Sequence, residues 1–491
     1  MKIPRILLAA GASGSGKTLI TCGLLQVLAN RGKKAASFKC GPDYIDPMFH
    51  SRVIGTSSGN LDTFFTSRER TRYLLGINAA DCDIAVMEGV MGYYDGVGGI
   101  TSRASAYDLA DATDTPVVLI VNSKGMSVSL AAYVKGFLEY KENSHIQGVI
   151  LNQMSPMLYP RMKKLLEEEL GIAVLGYVPK AEECVIESRH LGLVLPEEIP
   201  ELKERLLKLA EVLEKSLDIE GILALASKAG ELRAPEELYS EDPVFSYRAS
   251  KPIRIGVADD EAFCFFYQDN FRLLQEMGAE LVHFSPLHDG RLPDGLDGLL
   301  LYGGYPELHG KVLEENVSMR EALAAALRGG MPGMAECGGF MYLHEEMEGM
   351  DGKMYKMAGV IPGRVFRTRR LGRFGYVTLT QNPKSMKPET AHEDGKAADA
   401  AGPEQRFFGS ELMGEIPAHE FHYFDSANCG DAFYASKPGS GRGWNCMHAA
   451  GRLLAGFPHL YYYGNPRVPK RFLENCLKYQ EERQASETEG E

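Results

Sequence analysis

The chain has 491 residues, enough for two or three domains that each bury a core. Its 44% hydrophobic and 24% charged content is that of a soluble globular protein, and no apolar run reaches membrane-spanning length. A net charge of -13 argues against a nucleic-acid partner, and nine scattered cysteines without a Cys-x-x-Cys pair argue against structural zinc or a redox dithiol and for a reducing cytoplasm.

In chain order, residues 3–10 read as a buried parallel strand that runs directly into Gly11-Ala-Ser-Gly-Ser-Gly-Lys17-Thr18, so no leader segment is expected. The Gly-x4-Gly-Lys-Thr spacing, with Leu19–Ala29 as an amphipathic helix behind it, reads as a phosphate-binding loop. Backbone N–H groups around Gly11, Gly14 and Gly16 surround phosphates, Lys17 reaches the outer ones and Thr18 offers a hydroxyl to Mg²⁺. Partitioning ATPases carry an additional lysine in this loop, where Ala12 stands here.

A second strand, Ala35–Lys39, ends in Lys39-Cys-Gly-Pro-Asp43-Tyr44-Ile-Asp46-Pro47, and a third, Asp83–Met87, ends in Glu88-Gly-Val-Met-Gly-Tyr-Tyr-Asp95. Strand ends of a parallel sheet open on one edge, which brings Lys39, Asp43, Asp46 and Glu88 toward the terminal phosphate, with Asp46 and Glu88 as Mg²⁺ anchors. Asp95 either touches metal or substrate or closes an Asx-turn. Strands at 115–121 and 146–151 follow, the second ending at Asn152, whose amide suits an adenine edge. A helix at 159–170 and a strand at 174–178 complete a doubly wound layer, and a helix at 201–217 packs on it.

Residues 227–250 lose periodicity and read as a linker. Strand–helix alternation resumes at Lys251, with strands at 251–258, 281–284 and 299–302, the last leading to Gly303-Gly304-Tyr-Pro-Glu. Gly333-Met-Ala-Glu-Cys337-Gly338-Gly339 then reads as a strand-to-helix elbow that presents a nucleophilic cysteine, with the Gly304 and Gly338 amides as oxyanion donors. A free thiol is only a few per cent ionised at neutral pH, and an imidazole lowering its pKa by about 2 supplies roughly 2.7 kcal/mol. Of twelve histidines, His459 is the best placed base, with His419 and His422 as competitors. Five arginines between Arg364 and Arg373 suit either a polycarboxylate or a solvated hairpin. Residues 382–405 read as a mobile insertion and 478–491 as a disordered acidic tail.

These motifs together resemble the cobyrinate a,c-diamide synthase family, from the start of the chain to about Asn465. The resemblance implies an α/β architecture: a dethiobiotin-synthetase-like P-loop domain at 1–226 and a flavodoxin-like class I glutamine amidotransferase domain at 251–470. It implies ATP- and glutamine-dependent amidation of the a and c carboxylates of a corrinoid. Cys337 is then the glutaminase nucleophile, His459 its base, and Lys39, Asp43, Tyr44, Asp46, Glu88 and Asp95 act around Mg-ATP and substrate. Hydrogenobyrinate and nickel-sirohydrochlorin are alternative substrates, a nucleotide-gated scaffold with a dead amidase domain is the non-enzymatic alternative, and a homodimer is a candidate assembly. Many class I amidotransferases place a glutamate two residues after the histidine. Tyr461 stands there, so a Cys–His dyad is expected rather than a triad.

Overall fold

The computed structural model describes residues 1–180, 199–238, 240–382 and 407–489, which form two compact units, Met1–Leu238 and Tyr239–Glu491. The expected insertion at 382–405 falls, apart from Asn382, outside the described residues.

In the first unit, seven strands form one sheet: β1 (Arg5–Ala10), β2 (Ala35–Cys40), β3 (Ser57–Leu61), β4 (Ile84–Glu88), β5 (Val117–Asn122), β6 (Ile146–Asn152) and β7 (Ala173–Val178). Their order is β3-β2-β4-β1-β5-β6-β7, with every pairing parallel. The apolar runs of β1 and β4 are buried along their whole length, as a sheet covered on both faces requires. The chain fills one side of β1 with β2–β4 and the other with β5–β7, so the loop after β1 sits at the switch point of the sheet. The edge strand β3, Ser-Ser-Gly-Asn-Leu, had no apolar signature to announce it.

The helix after the loop, α1 (Lys17–Asn30), is not amphipathic as expected: every residue from Ile20 to Leu28 is buried. Its outer side is covered by the helix Ile199–Ser216, whose Leu206, Leu209 and Leu213 are fully buried. The approach is close, since a Cβ on Gly23 would lie 2.4 Å from Leu213 Cδ1. Part of the expected linker also belongs here. Leu232 and Leu238 are buried, the Leu232 amide donates to the Met1 carbonyl at 2.8 Å, and Arg5 donates to the Gly230 carbonyl at 3.0 Å.

In the second unit, β8 (Ile253–Ala258), β9 (Ala279–Phe284), β10 (Gly298–Leu301), β11 (Gly333–Glu336) and the strand Leu453–Gly456 form a parallel sheet. Its order, Leu453–Gly456 then β11, β10, β8 and β9, is the flavodoxin-like one. After β11 the chain builds two further sheets, one of them completed only by His459–Leu460, which follows Leu453–Gly456. One is antiparallel and includes Arg373–Gln381, Ile416–His422 and His459–Leu460; the other includes His344–Glu348 and Ile361–Arg367. The arginine cluster therefore runs from a strand of one sheet, Arg364 and Arg367, through a bend, Arg369 and Arg370, to a strand of another, Arg373; the first four are exposed and Arg373 lies 5.4 Å over the Trp444 ring. The expected tail at 478–491 is helical as far as Glu489, within the helix Arg467–Glu489. Gln480 and Arg483 both reach Asp297, at 2.9 Å each, and Arg452 pairs with Glu482 at 2.6 Å, which ties this acidic helix to the unit.

Candidate active sites in the two units

The loop after β1 takes the left-handed conformation at Gly14 and Gly16, with φ of 73° and 90°, which a side chain would resist. At Gly11 a Cβ would meet the Tyr133 hydroxyl at 1.8 Å, the far end of a partly exposed side chain, so the glycine keeps that ring close over the loop. Lys17 donates to the carbonyls of Ala12 at 3.1 Å and Met91 at 2.6 Å, so its ammonium is held by the loop itself and by the segment after β4. Burial, then neighbouring Lys39, lower its pKa.

Glu88 at the end of β4 is the hub. It accepts from the Thr18 hydroxyl at 2.6 Å and from Lys39 at 2.7 Å, and Lys39 also pairs with Asp46. Burial raises the Glu88 pKa while Lys39 opposes it; Lys39 in turn is desolvated, yet Glu88, Asp46 and Asp43 hold it charged. Burial and then Asp46 raise Asp43, whose carboxylate accepts from the Ile45 amide at 2.8 Å beside buried Tyr44. Asp95 makes the turn contact, accepting from the Gly92 amide at 2.9 Å. Asn152, expected to read an adenine edge, turns both amide groups to the backbone, donating to the Ser15 carbonyl at 2.8 Å and accepting from the Gln153 amide at 2.9 Å. It braces the glycine loop.

No group of three acidic, imidazole or thiol side chains suited to a metal occurs among the described residues. The donors nevertheless fit a hard cation that keeps most of its water: Thr18 and Glu88 present oxygens 2.6 Å apart, and Glu88 Oε2 has no hydrogen-bond partner among the described residues. Asp46 is taken up by Lys39. His50, four residues after Asp46 and fully buried 3.8 Å from Glu88 Oε2, was missed in the sequence, although that i,i+4 spacing on a helical turn was visible.

In the second unit, Cys337 stands between β11 and the short helix Gly338–Tyr342 with φ of 45°, a strained conformation for a residue with a Cβ. The glycines that follow allow the turn: a Cβ on Gly339 would lie 2.0 Å from the Leu301 carbonyl, and one on Gly338 would lie 3.0 Å from the Gly304 nitrogen. The Gly304 and Gly338 backbones therefore converge beside the thiol, and the Gly338 amide hydrogen-bonds toward the sulfur.

His459 comes from the antiparallel sheet, paired in register with His419. A Cβ on Gly303 would lie 2.5 Å from His459 Cε1 and 3.4 Å from Cys337 Cβ, so thiol and imidazole close on one point. The competing histidines are otherwise engaged. His419 stacks on His459 with centroids 4.8 Å apart, and His422 binds Glu420 at 2.9 Å and stacks on Phe457. Contrary to expectation, the thiol is not acidified: burial, then Glu307 and Glu420, push it well above its usual range. Burial and then His422 hold the His459 pKa down at about 3. The resting pair is a neutral thiol beside a neutral imidazole, poised for proton transfer during attack. Gly303→Ala is expected to displace the ring and lower glutamine hydrolysis by about 10²-fold or more, measured as glutamate release.

A buried cysteine on a glycine elbow beside an imidazole, carried on a flavodoxin-like sheet, defines a glutamine amidotransferase, and the other unit is a P-loop nucleotide-binding domain. Residues 254–461 match the CobB/CobQ-like glutamine amidotransferase domain, and residues 6–193 match the CobQ/CobB/MinD/ParA nucleotide binding domain. The chain is 36% identical over 481 residues to the cobyrinate a,c-diamide synthase of Caldanaerobacter subterraneus subsp. tengcongensis, covering 97% of this chain and 99% of that one. Against the enzyme of the same name from Thermoplasma volcanium the identity is 37% over 493 residues, covering 99% and 100%. For that of Priestia megaterium it is 34% over 490 residues, covering 98% of each. The chain belongs to the cobyrinate a,c-diamide synthase family. Among the described residues no helix is long and apolar enough to cross a membrane.

Proposed function

We propose that this protein amidates the a and c carboxylates of cobyrinate, using glutamine as nitrogen donor and ATP as activator. The observation that carries the reading is that a phosphate-binding glycine loop and a cysteine elbow beside His459 occur together in a chain that aligns with its relatives over nearly its whole length.

The Cys337 sulfur attacks the glutamine amide carbon while His459 takes the thiol proton, and the oxyanion is stabilised by the Gly304 and Gly338 amides. His459 returns the proton to the departing nitrogen, ammonia leaves, and water hydrolyses the thioester to glutamate. In the first unit, Lys17 and Lys39 stabilise charge on the γ-phosphoryl group as it passes from ATP to a substrate carboxylate, with ADP leaving. Ammonia then attacks the acyl phosphate and phosphate departs. Mg²⁺ held by Thr18 and Glu88 would supply further charge neutralisation at the phosphates.

Mass spectrometry of cobyrinate incubated with ATP, Mg²⁺, glutamine and the protein tests the reading: two successive exchanges of acid for amide are expected. Amidation of hydrogenobyrinate or nickel-sirohydrochlorin in place of cobyrinate would overturn the substrate assignment, and no ATP-dependent amidation of any of the three would overturn the activity.

A further inference from the structure

Glu336 is the last residue of β11, immediately before the nucleophile, and its side chain is buried. Its Oε2 lies 3.7 Å from His459 Nδ1 and accepts from the Leu460 amide at 3.3 Å, so one carboxylate oxygen faces both the base and the backbone next to it. Its Oε1 has no hydrogen-bond partner among the described residues. A buried carboxyl oxygen left without a protein partner costs stability, and a group of this kind beside a nucleophile calls for an explanation. Tyr461, at the place where many class I amidotransferases carry the orienting glutamate, commits its hydroxyl to Asp269 at 2.6 Å. His419 meets the imidazole ring face to face, an arrangement that offers no in-plane acceptor to a ring N–H. Glu420 is engaged by His422 at 2.9 Å and by the Trp444 indole at 3.1 Å.

We propose that Glu336 is the positioning residue of the glutaminase, orienting His459 through Nδ1 so that Nε2 receives the Cys337 proton. Burial pushes the Glu336 carboxyl up to about 8, so it is the ionised fraction, growing as pH rises toward that value, whose carboxylate at Nδ1 selects the imidazole tautomer that keeps the proton there. When the ring takes up the second proton, the same carboxylate stabilises the imidazolium. The 3.7 Å separation shortens to a hydrogen bond when glutamine occupies the site. This assignment rests on reading Cys337 and His459 as a glutaminase.

The test uses the full chain and Glu336→Gln, which keeps the shape and removes the charge, beside Glu336→Asp and Cys337→Ala. For Glu336→Gln the expected result is a kcat for glutamate release lower by about 10²-fold or more, a glutamine KM within about threefold of the parent, and unchanged amidation from ammonium salts. Glu336→Asp, which restores the charge, recovers part of the loss. ¹⁵N NMR should show His459 protonated on Nδ1 in the parent protein and a mixture of tautomers in Glu336→Gln. A kcat within about threefold of the parent, a loss confined to KM, or an unchanged tautomer would overturn the assignment. Glutamine-driven amidation that survives Cys337→Ala would instead overturn the glutaminase reading beneath it.

Discussion

Replacing Cys337 with alanine should abolish amidation from glutamine, by about 10³-fold or more, while amidation from ammonium salts continues at the parent rate. The expectation follows from the separation of the two chemistries. The thiol sits on the elbow after β11 in the second unit, whereas the phosphate-binding loop and Glu88 belong to the first. Alanine keeps the backbone turn at φ 45° no worse than cysteine does, so the Gly338 helix should stay in place. The measurement is product mass with each nitrogen source, beside glutamate release. Loss of both activities in a variant whose thermal unfolding matches the parent would count against the division of labour.

Lys17→Ala should give the mirror image: synthesis lost from either nitrogen source, by about 10²-fold or more, with basal glutamate release retained. The Lys17 ammonium is held by the carbonyls of Ala12 and Met91, and Met91 has a φ of 48°, so part of the loop after β4 is bent to receive it. Alanine leaves these two acceptors without their donor and removes the cation that faces the phosphates. Retained glutamate release shows that the second unit is folded and a thermal unfolding curve matching the parent shows it for the first; retained synthesis would mean that the loop does not serve phosphoryl transfer.

Much of this arrangement could be read from the sequence where the signal is local. The glycine loop, Glu88 at a strand tip and the Cys337 elbow are each defined by residues adjacent in the chain, and the structure places all three at the ends of parallel strands. What escaped depends on contacts between distant segments. The helix α1 read as amphipathic because nothing nearby announces that the helix Ile199–Ser216 will cover it. Asn152 carries the right group for adenine but lies within reach of the Ser15 carbonyl, a register between β6 and the glycine loop that spacing does not encode. The expected dyad follows from looking for an acid two residues after the histidine, where Tyr461 stands, whereas Glu336, the partner proposed for His459, is adjacent to the cysteine in the chain and 123 residues away from the imidazole it faces at 3.7 Å.

Cys337 directly follows β11 of the parallel sheet, whereas His459, paired with Ile416–His422, belongs to the antiparallel one. Nitrogen release therefore reports whether two independently hydrogen-bonded layers stay clasped together. A rise in temperature or a substitution along Ile416–His422 that only loosens the second layer would silence the donor reaction while the central β-scaffold stood intact, making the ability to use glutamine the first casualty of partial melting.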